Sequence, residues 1–292
     1  MVAMRAGIVD IGSNTARLVV VERRRAELLT VRSERVTLGL GADVERLGAI
    51  SEEKLAEAED CVRRFTGIAR REGAELVEVL VTSPGRQATN GAELADRLAA
   101  QVRISVSLLS AEEEGLLAWE GALQASRVRW RTVAVCDVGG GSTQIAVGEP
   151  GEPPTWIRSV DAGSLRLTRR LGGKPTVEDA AREAERCFTG LAPPLPEGAL
   201  AVGGSARALR KLVGRTLGSA ELAAALEVLG RRSRKELVRM LGVDPERART
   251  MLAGAAILAE VQRRLGVPLR VARGGLREGA ACRLLEQLEA AA

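Results

Sequence analysis

The sequence contains no histidine and no tyrosine among its 292 residues. Without histidine, a Ser-His-Asp triad, a zinc centre built on imidazole and a His-based metal phosphohydrolase are all excluded. Any general base has to be a carboxylate, a cysteine, a lysine or a terminus. Lysine is scarce too, at Lys54, Lys174, Lys211 and Lys235 only, so nearly all the positive charge is arginine. Aromatic residues make up 2% of the chain, too few for base-stacking platforms, which argues against nucleic acid as a partner. The four cysteines (Cys61, Cys136, Cys187 and Cys282) are far apart with no CxxC pair. They read as small apolar residues in a reducing compartment, not as a disulfide or metal framework. No apolar run approaches the roughly 18 residues of a membrane span. The first ten residues lack the apolar core of a signal peptide. The expectation is a cytoplasmic protein with no membrane partner.

What remains is an ordinary globular composition, 46% hydrophobic and 28% charged. The length suits about two domains of roughly 150 residues each. The net charge of +5 is spread over helices where arginine alternates with acidic residues, as in Glu57–Arg64 and Arg182–Arg186. It points weakly to a small polyanionic substrate and away from DNA.

Two segments stand out. Gly7 to Glu22 reads as a strand, a Gly-Ser-Asn turn and a second strand; Thr132 to Gly148 reads as a strand, a Gly-Gly-Gly-Ser turn and a second strand. Placed 127 residues apart they align without a gap: Asp10 meets Asp137, Gly12 meets Gly139, Leu18 meets Ile145 and Glu22 meets Glu149. This is an internal duplication. Each half continues with alternating strands and helices, so the expected fold class is α/β. Each half would carry a mixed sheet with flanking helices. Helices are expected over Ser51–Glu72, with Ser51 as N-cap, and from Ser110 to about Leu123, with Glu113 closing a capping box. In the second half, helices are expected near Leu165–Leu171, Val177–Phe188, Ala206–Val213, Ser219–Leu229, Arg234–Leu241, Arg247–Leu265 and Leu276–Leu288. The halves are expected to divide as 1–125 and 126–292. The last helix, about 277–290, is the candidate to pack back on the first half.

A turn rich in Gly and Ser after a strand exposes successive backbone N–H groups, and such a nest binds phosphate oxygens. Asp10 and Asp137 sit where the strands enter their turns. Two carboxylates at a phosphate site are the donors Mg²⁺ uses. Taken singly, either turn is equally a plain hairpin; the duplication is what favours a phosphate site.

The turns Asp10-Ile-Gly-Ser-Asn-Thr and Asp137-Val-Gly-Gly-Gly-Ser-Thr resemble the two phosphate loops of the actin–Hsp70–sugar-kinase superfold. Further pieces, in the same order, resemble the exopolyphosphatase / guanosine pentaphosphate phosphatase (Ppx/GppA) family. They are Thr82-Ser-Pro-Gly-Arg-Gln-Ala-Thr-Asn90, Ser110-Ala-Glu-Glu-Glu-Gly115, Gly203-Gly-Ser-Ala-Arg207 and Gly274-Gly-Leu-Arg-Glu-Gly279. The resemblance implies two ribonuclease H-like (actin-like) lobes with a cleft between them, and none of the additional helical domains of longer relatives. It implies Glu114 as the general base and Asp10 and Asp137 as organisers of Mg²⁺, with Mn²⁺ as the alternative ion. Gly12, Ser13, Asn14, Thr15, Arg86, Gly139, Gly140, Gly141, Ser142, Thr143 and Gln144 are the implied phosphate binders. Gly203, Gly204 and Ser205 would form the distal end of the cleft. The implied activity is hydrolysis of the terminal phosphoanhydride of inorganic polyphosphate, with guanosine pentaphosphate as a second substrate. A homodimer is left open.

One departure matters. The family turn usually ends Ser-Thr-Glu, whereas here it ends Ser142-Thr143-Gln144. The lost charge keeps open a weakly active or non-catalytic sensor of polyphosphate or guanosine tetraphosphate. An ATPase or sugar kinase of the same superfold is the remaining alternative.

Overall fold

The computed structural model describes residues 4–24 and 27–291, so the first three residues of the stretch read for a leader lie outside it. The chain forms two units. One comprises Met1–Ala125 with Leu276–Ala292, the other Ser126–Gly275.

The first unit opens with strands β1 (Arg5–Ile11), β2 (Thr15–Arg24) and β3 (Glu27–Thr37). Helices α1 (Leu40–Leu47) and α2 (Glu52–Arg71) follow, then β4 (Leu76–Val81), α3 (Ser83–Gln87), α4 (Gly91–Val102), β5 (Ser105–Leu108) and α5 (Ala111–Gln124). The strands order as β3-β2-β1-β4-β5. The β1–β2 and β2–β3 pairs are antiparallel, and β4 and β5 extend the sheet in parallel. Both faces of β1 are buried, as a central strand of a covered sheet requires. Val9 and Ile11 pack with Phe65 and Leu98 from α2 and α4. Ala6 and Ile8 pack with Leu117 of α5 and with Leu276, Ala281 and Leu285 of the C-terminal helix α12 (Leu276–Ala291). Two helices thus cover each face.

The second unit repeats the plan. Its strands are β6 (Val133–Val138), β7 (Thr143–Gly148), β8 (Trp156–Val160), β9 (Gly198–Val202), β10 (Thr216–Leu217) and β11 (Leu269–Val271). They order as β10-β11-β9-β6-β7-β8. Read from β8, this matches the first sheet strand for strand, with β10 added at the far edge. The hairpin registers also match: Asp10 pairs with Arg17, and Asp137 with Gln144. Its helices are α6 (Ser164–Leu171), α7 (Val177–Cys187), α8 (Gly203–Val213), α9 (Ser219–Arg231), α10 (Arg234–Leu241) and α11 (Pro245–Leu265). Met251, Ala255 and Leu258 of α11 pack in one core with Leu222 of α9 and Ala184 of α7.

Ser51 and Ser110 cap α2 and α5 as expected, and Glu113 completes the capping box. Several elements depart from the expectations of the sequence, α8 among them, which starts three residues early at Gly203. Helix α1 has no counterpart in those expectations, because it is only eight residues long, opens on Leu-Gly and is framed by Gly39 and Gly48, although Leu40, Val44 and Leu47 fall at helical spacing. The stretch after β4, which reads as a polar turn, holds the short helix α3. Helix α11 starts two residues earlier than expected, with the Asp244 side chain accepting from the Arg247 amide and Pro245 in the first turn. All four cysteines are free, three of them buried. Burial and the neighbouring Asp137 charge push the Cys136 thiol up to about 12, so it stays protonated and inert.

Candidate active site

In the first unit the chemistry-bearing residues gather at the carboxyl ends of the three parallel strands. Ile11, Val81 and Leu108 are in register there. That end of a parallel sheet is where open α/β folds place ligands. The turn after β1 is closed by the Gly12 amide donating to Thr15 O at 3.1 Å. Its other carbonyls are consumed: Ser13 O accepts from the Gly41 amide, and Asn14 O from the amides of Leu38 and Gly39. Among the described residues the Ser13 and Asn14 amides have no backbone acceptor. Helix α1 thus fixes the turn through its carbonyls and leaves its donors unengaged. The Ser13 and Ser83 hydroxyls meet at 2.8 Å, and both the amide and hydroxyl of Thr82 donate to Ile11 O. These contacts tie the turn to α3.

Helix α3 carries Arg86. Its guanidinium donates to Leu109 O at 2.9 Å and lies 2.7 Å from Glu114 Oε2. Glu114 is only 8% exposed. Its neighbour Glu113 serves instead as a helix cap. The Ser110 amide, then the Ser110 hydroxyl, hold the Glu113 carboxyl below its ordinary range. Of the three consecutive glutamates on α5, Glu114 is the buried one facing an arginine. At β1, Asp10 Oδ2 lies 3.0 Å from Arg277 Nη1 on α12. The motif reading covers the Gly274–Gly279 segment but gives Arg277 no role. Its partner is 267 residues away, and no local pattern reports such a pair.

The second turn is built alike. The Gly139 amide closes it on Ser142 O at 3.0 Å. Its carbonyls go to the first turn of α6: Gly139 O accepts from the Ser164 amide and hydroxyl, and Gly140 O from the amides of Leu165 and Arg166. Among the described residues the Gly140 and Gly141 amides have no backbone acceptor. A methyl group on Gly163 would overlap the Gly140 carbonyl and the Gly141 nitrogen, so only glycine permits this approach.

Several side chains implied as phosphate binders are spent on building that turn. The Thr143 hydroxyl is fully buried and donates to Ala162 O at 2.5 Å. The Gln144 amide, also buried, donates to Ser142 Oγ at 2.9 Å and Ser159 Oγ at 3.0 Å. Gly203 follows β9 with φ 86°, and a side chain there would run into Asp137 Oδ1. Arg247 lies over Gly204 in the same way. Beside them, the buried Ser205 hydroxyl has no hydrogen-bond partner among the described residues.

Each turn therefore offers one carboxylate among hydroxyls and free amides. The carboxylate and hydroxyl oxygens are hard donors that suit a Mg²⁺ ion held by one or two carboxylates together with substrate phosphate, and the amides can donate to the phosphate oxygens. Among the described residues there is no cluster of three or more His, Cys, Asp or Glu that would hold a metal by itself.

The model of the Ppx/GppA phosphatase family matches residues 19–288. Exopolyphosphatase 1 of Mycobacterium tuberculosis is 26% identical over 306 residues, covering 97% of this chain and 89% of its own. The guanosine-5'-triphosphate,3'-diphosphate pyrophosphatase of Aeromonas hydrophila is 25% identical over 298 residues, covering 93% of this chain and 57% of its own. The crystal structure of an exopolyphosphatase from Cytophaga hutchinsonii shares the fold, with a TM-score of 0.86 at 23% identity over 97% of this chain and 98% of that one.

Proposed function

Because the chain belongs to the Ppx/GppA phosphatase family, we propose that it is an exopolyphosphatase, releasing orthophosphate from the end of inorganic polyphosphate. As a family member it is a hydrolase of phosphoric anhydrides. The observation that carries the finer reading is the shared construction of the two turns. Each spends its carbonyls on the start of a helix, keeps its amides unengaged and follows a strand bearing an aspartate. Such amides favour a polyanion over a neutral substrate.

Phosphoanhydride hydrolysis needs positioned charge and an activated water. Glu114 takes the proton of the attacking water. Arg86 holds that carboxylate in place and, with the Leu109 carbonyl fixing its own fork, presents its remaining N–H groups to a phosphate oxygen. The amides of Ser13, Asn14, Gly140 and Gly141 take the other oxygens. Ser142, Thr143 and Gln144 act by holding the second turn in shape. A divalent ion, Mg²⁺ or Mn²⁺, would be held by Asp10 and Asp137 and would neutralise charge on the phosphates. Guanosine pentaphosphate is the second substrate of this reading, on the likeness to the guanosine-5'-triphosphate,3'-diphosphate pyrophosphatase of Aeromonas hydrophila. The non-catalytic alternative rests on Gln144, whose amide is occupied in ordering Ser142 and Ser159. A cytoplasmic location is part of the same reading.

Phosphate release from polyphosphates of defined length, guanosine pentaphosphate and ATP, with Mg²⁺ or Mn²⁺, tests the proposal. Glu114→Gln should lose about 10²–10⁴-fold in turnover, the range for a general base, while retaining polyphosphate binding. Unchanged turnover removes Glu114 from the mechanism.

A further inference from the structure

Asp10 is not a bare carboxylate. Arg277 Nη1 lies 3.0 Å from its Oδ2, and both side chains are only 16% exposed. Arg17 is its direct cross-strand partner, and side chains so paired share one face of the sheet.

Arg277 is rigidly placed. It sits in the first turn of α12, whose Leu276, Ala280, Ala281, Leu284 and Leu285 share a core with Ala6 and Ile8 of β1. A methyl group on Gly279 would overlap the Leu117 carbonyl, so α12 lies directly against the backbone of α5. Arg283 grips Glu120 with two bonds of 2.6 and 2.7 Å between the same helices. The ion pair is therefore fixed by helix packing at both ends, unlike an exposed pair whose side chains drift.

Resting on the proposed function, we propose that Arg277 is the resident counter-ion of Asp10, and that it keeps a divalent cation weakly held there until an anionic phosphate arrives. A guanidinium and a divalent ion beside one carboxylate repel each other, strongly so where water is largely excluded. A phosphate oxygen reverses this: it accepts from the guanidinium and at the same time supplies the cation with a ligand. Cation and phosphate binding are then coupled, each tightening the other by the same factor.

The test is Mn²⁺ binding to the full chain, read from the loss of the free-ion paramagnetic resonance signal, with and without saturating inorganic phosphate. In the unmodified protein phosphate should tighten Mn²⁺ at least about tenfold, a coupling of ordinary size. Equal affinity with and without phosphate overturns the inference, and this arm needs no variant. Without phosphate, Arg277→Gln and Arg277→Met should each bind Mn²⁺ about tenfold tighter or better than the parent, whereas Arg277→Lys, which keeps the charge, should stay close to it. Methionine keeps an unbranched apolar stem should glutamine unsettle the helix, and a thermal melt reports the fold. Neutral variants that bind Mn²⁺ no better than the parent refute the role. Asp10→Asn separates the two levels. If it leaves phosphate release intact, the reading of Asp10 itself fails. If it abolishes release while Arg277 variants leave Mn²⁺ binding unmoved, only the counter-ion role fails.

Discussion

Asp10 and Asp137 stand at the same point of two matching sheets, yet Asp10 is paired with Arg17 across the strand and with Arg277 from α12, while Asp137 is paired with Gln144 and lies beside Gly203. The frame has been kept, and the residue across the strand from each aspartate has changed, Arg17 in the first unit and Gln144 in the second. The strand order, the hairpin register and the carbonyl-anchored turn persist in both units because all three are backbone features. The side chains around each aspartate are free to change once the backbone holds. In the first unit the Asp10 carboxylate meets the Arg277 guanidinium of its own unit. Both turns are clamped by a glycine of the adjoining helix start, Gly41 against the Ser13 side chain in the first and Gly163 against the Gly140 backbone in the second, where Gly203 also lies against the carboxylate.

The largest effect should come from testing whether the two aspartates are equivalent. Asp10→Asn and Asp137→Asn should each lower phosphate release by about 10²-fold or more, as expected for groups that stabilise developing charge. A variant within threefold of the parent in that assay removes its turn from the site. The steric contrast is tested by stability. Gly163→Ala should cost about 1–3 kcal/mol in chemical denaturation through overlap with the Gly140 backbone. Gly41→Ala, the matching change against the first turn, should cost less, about 1 kcal/mol, because its nearest atom is the Ser13 Cβ at 2.8 Å and not backbone. Equal losses would mean that the two turns are held alike.

Arg86→Lys keeps the charge but loses the fork that reaches Leu109 O and Glu114 together. A fall of about tenfold in kcat/KM is expected, the worth of a charge-assisted hydrogen bond. An unchanged value would show that geometry at Arg86 is irrelevant. The smallest effect belongs to Gln144→Glu. The hydroxyls of Ser142 and Ser159 can turn to donate to the new carboxylate, so turnover should stay within about fivefold, one neutral hydrogen bond's worth. A large gain would instead show that a carboxylate here takes part in the chemistry.

Much of the fold is legible in the residue order. Helix Arg234–Leu241 has the bounds expected of it, and the helices over Val177–Phe188 and Ser219–Leu229 start where expected. Ser51, Ser110 and Glu113 act as caps because capping depends on residues three apart. Glycine-poor helices with a continuous apolar stripe are readable; α1, set among glycines, is not. The spacing of Asp10 and Asp137 announces the duplication, but nothing local announces that Thr143 and Gln144 are spent inside the turn.

The residue order alone determined the repeated hairpin, the succession of strands and helices and the exclusion of histidine chemistry, since each depends on neighbours along the chain or on composition. Only the tertiary structure decided that Arg277 meets Asp10, that Arg86 meets Glu114 and that the turns surrender their carbonyls to helix starts. Those contacts join residues tens to hundreds of positions apart. Their geometry is fixed by how helices pack on a sheet, and local sequence does not encode that distance.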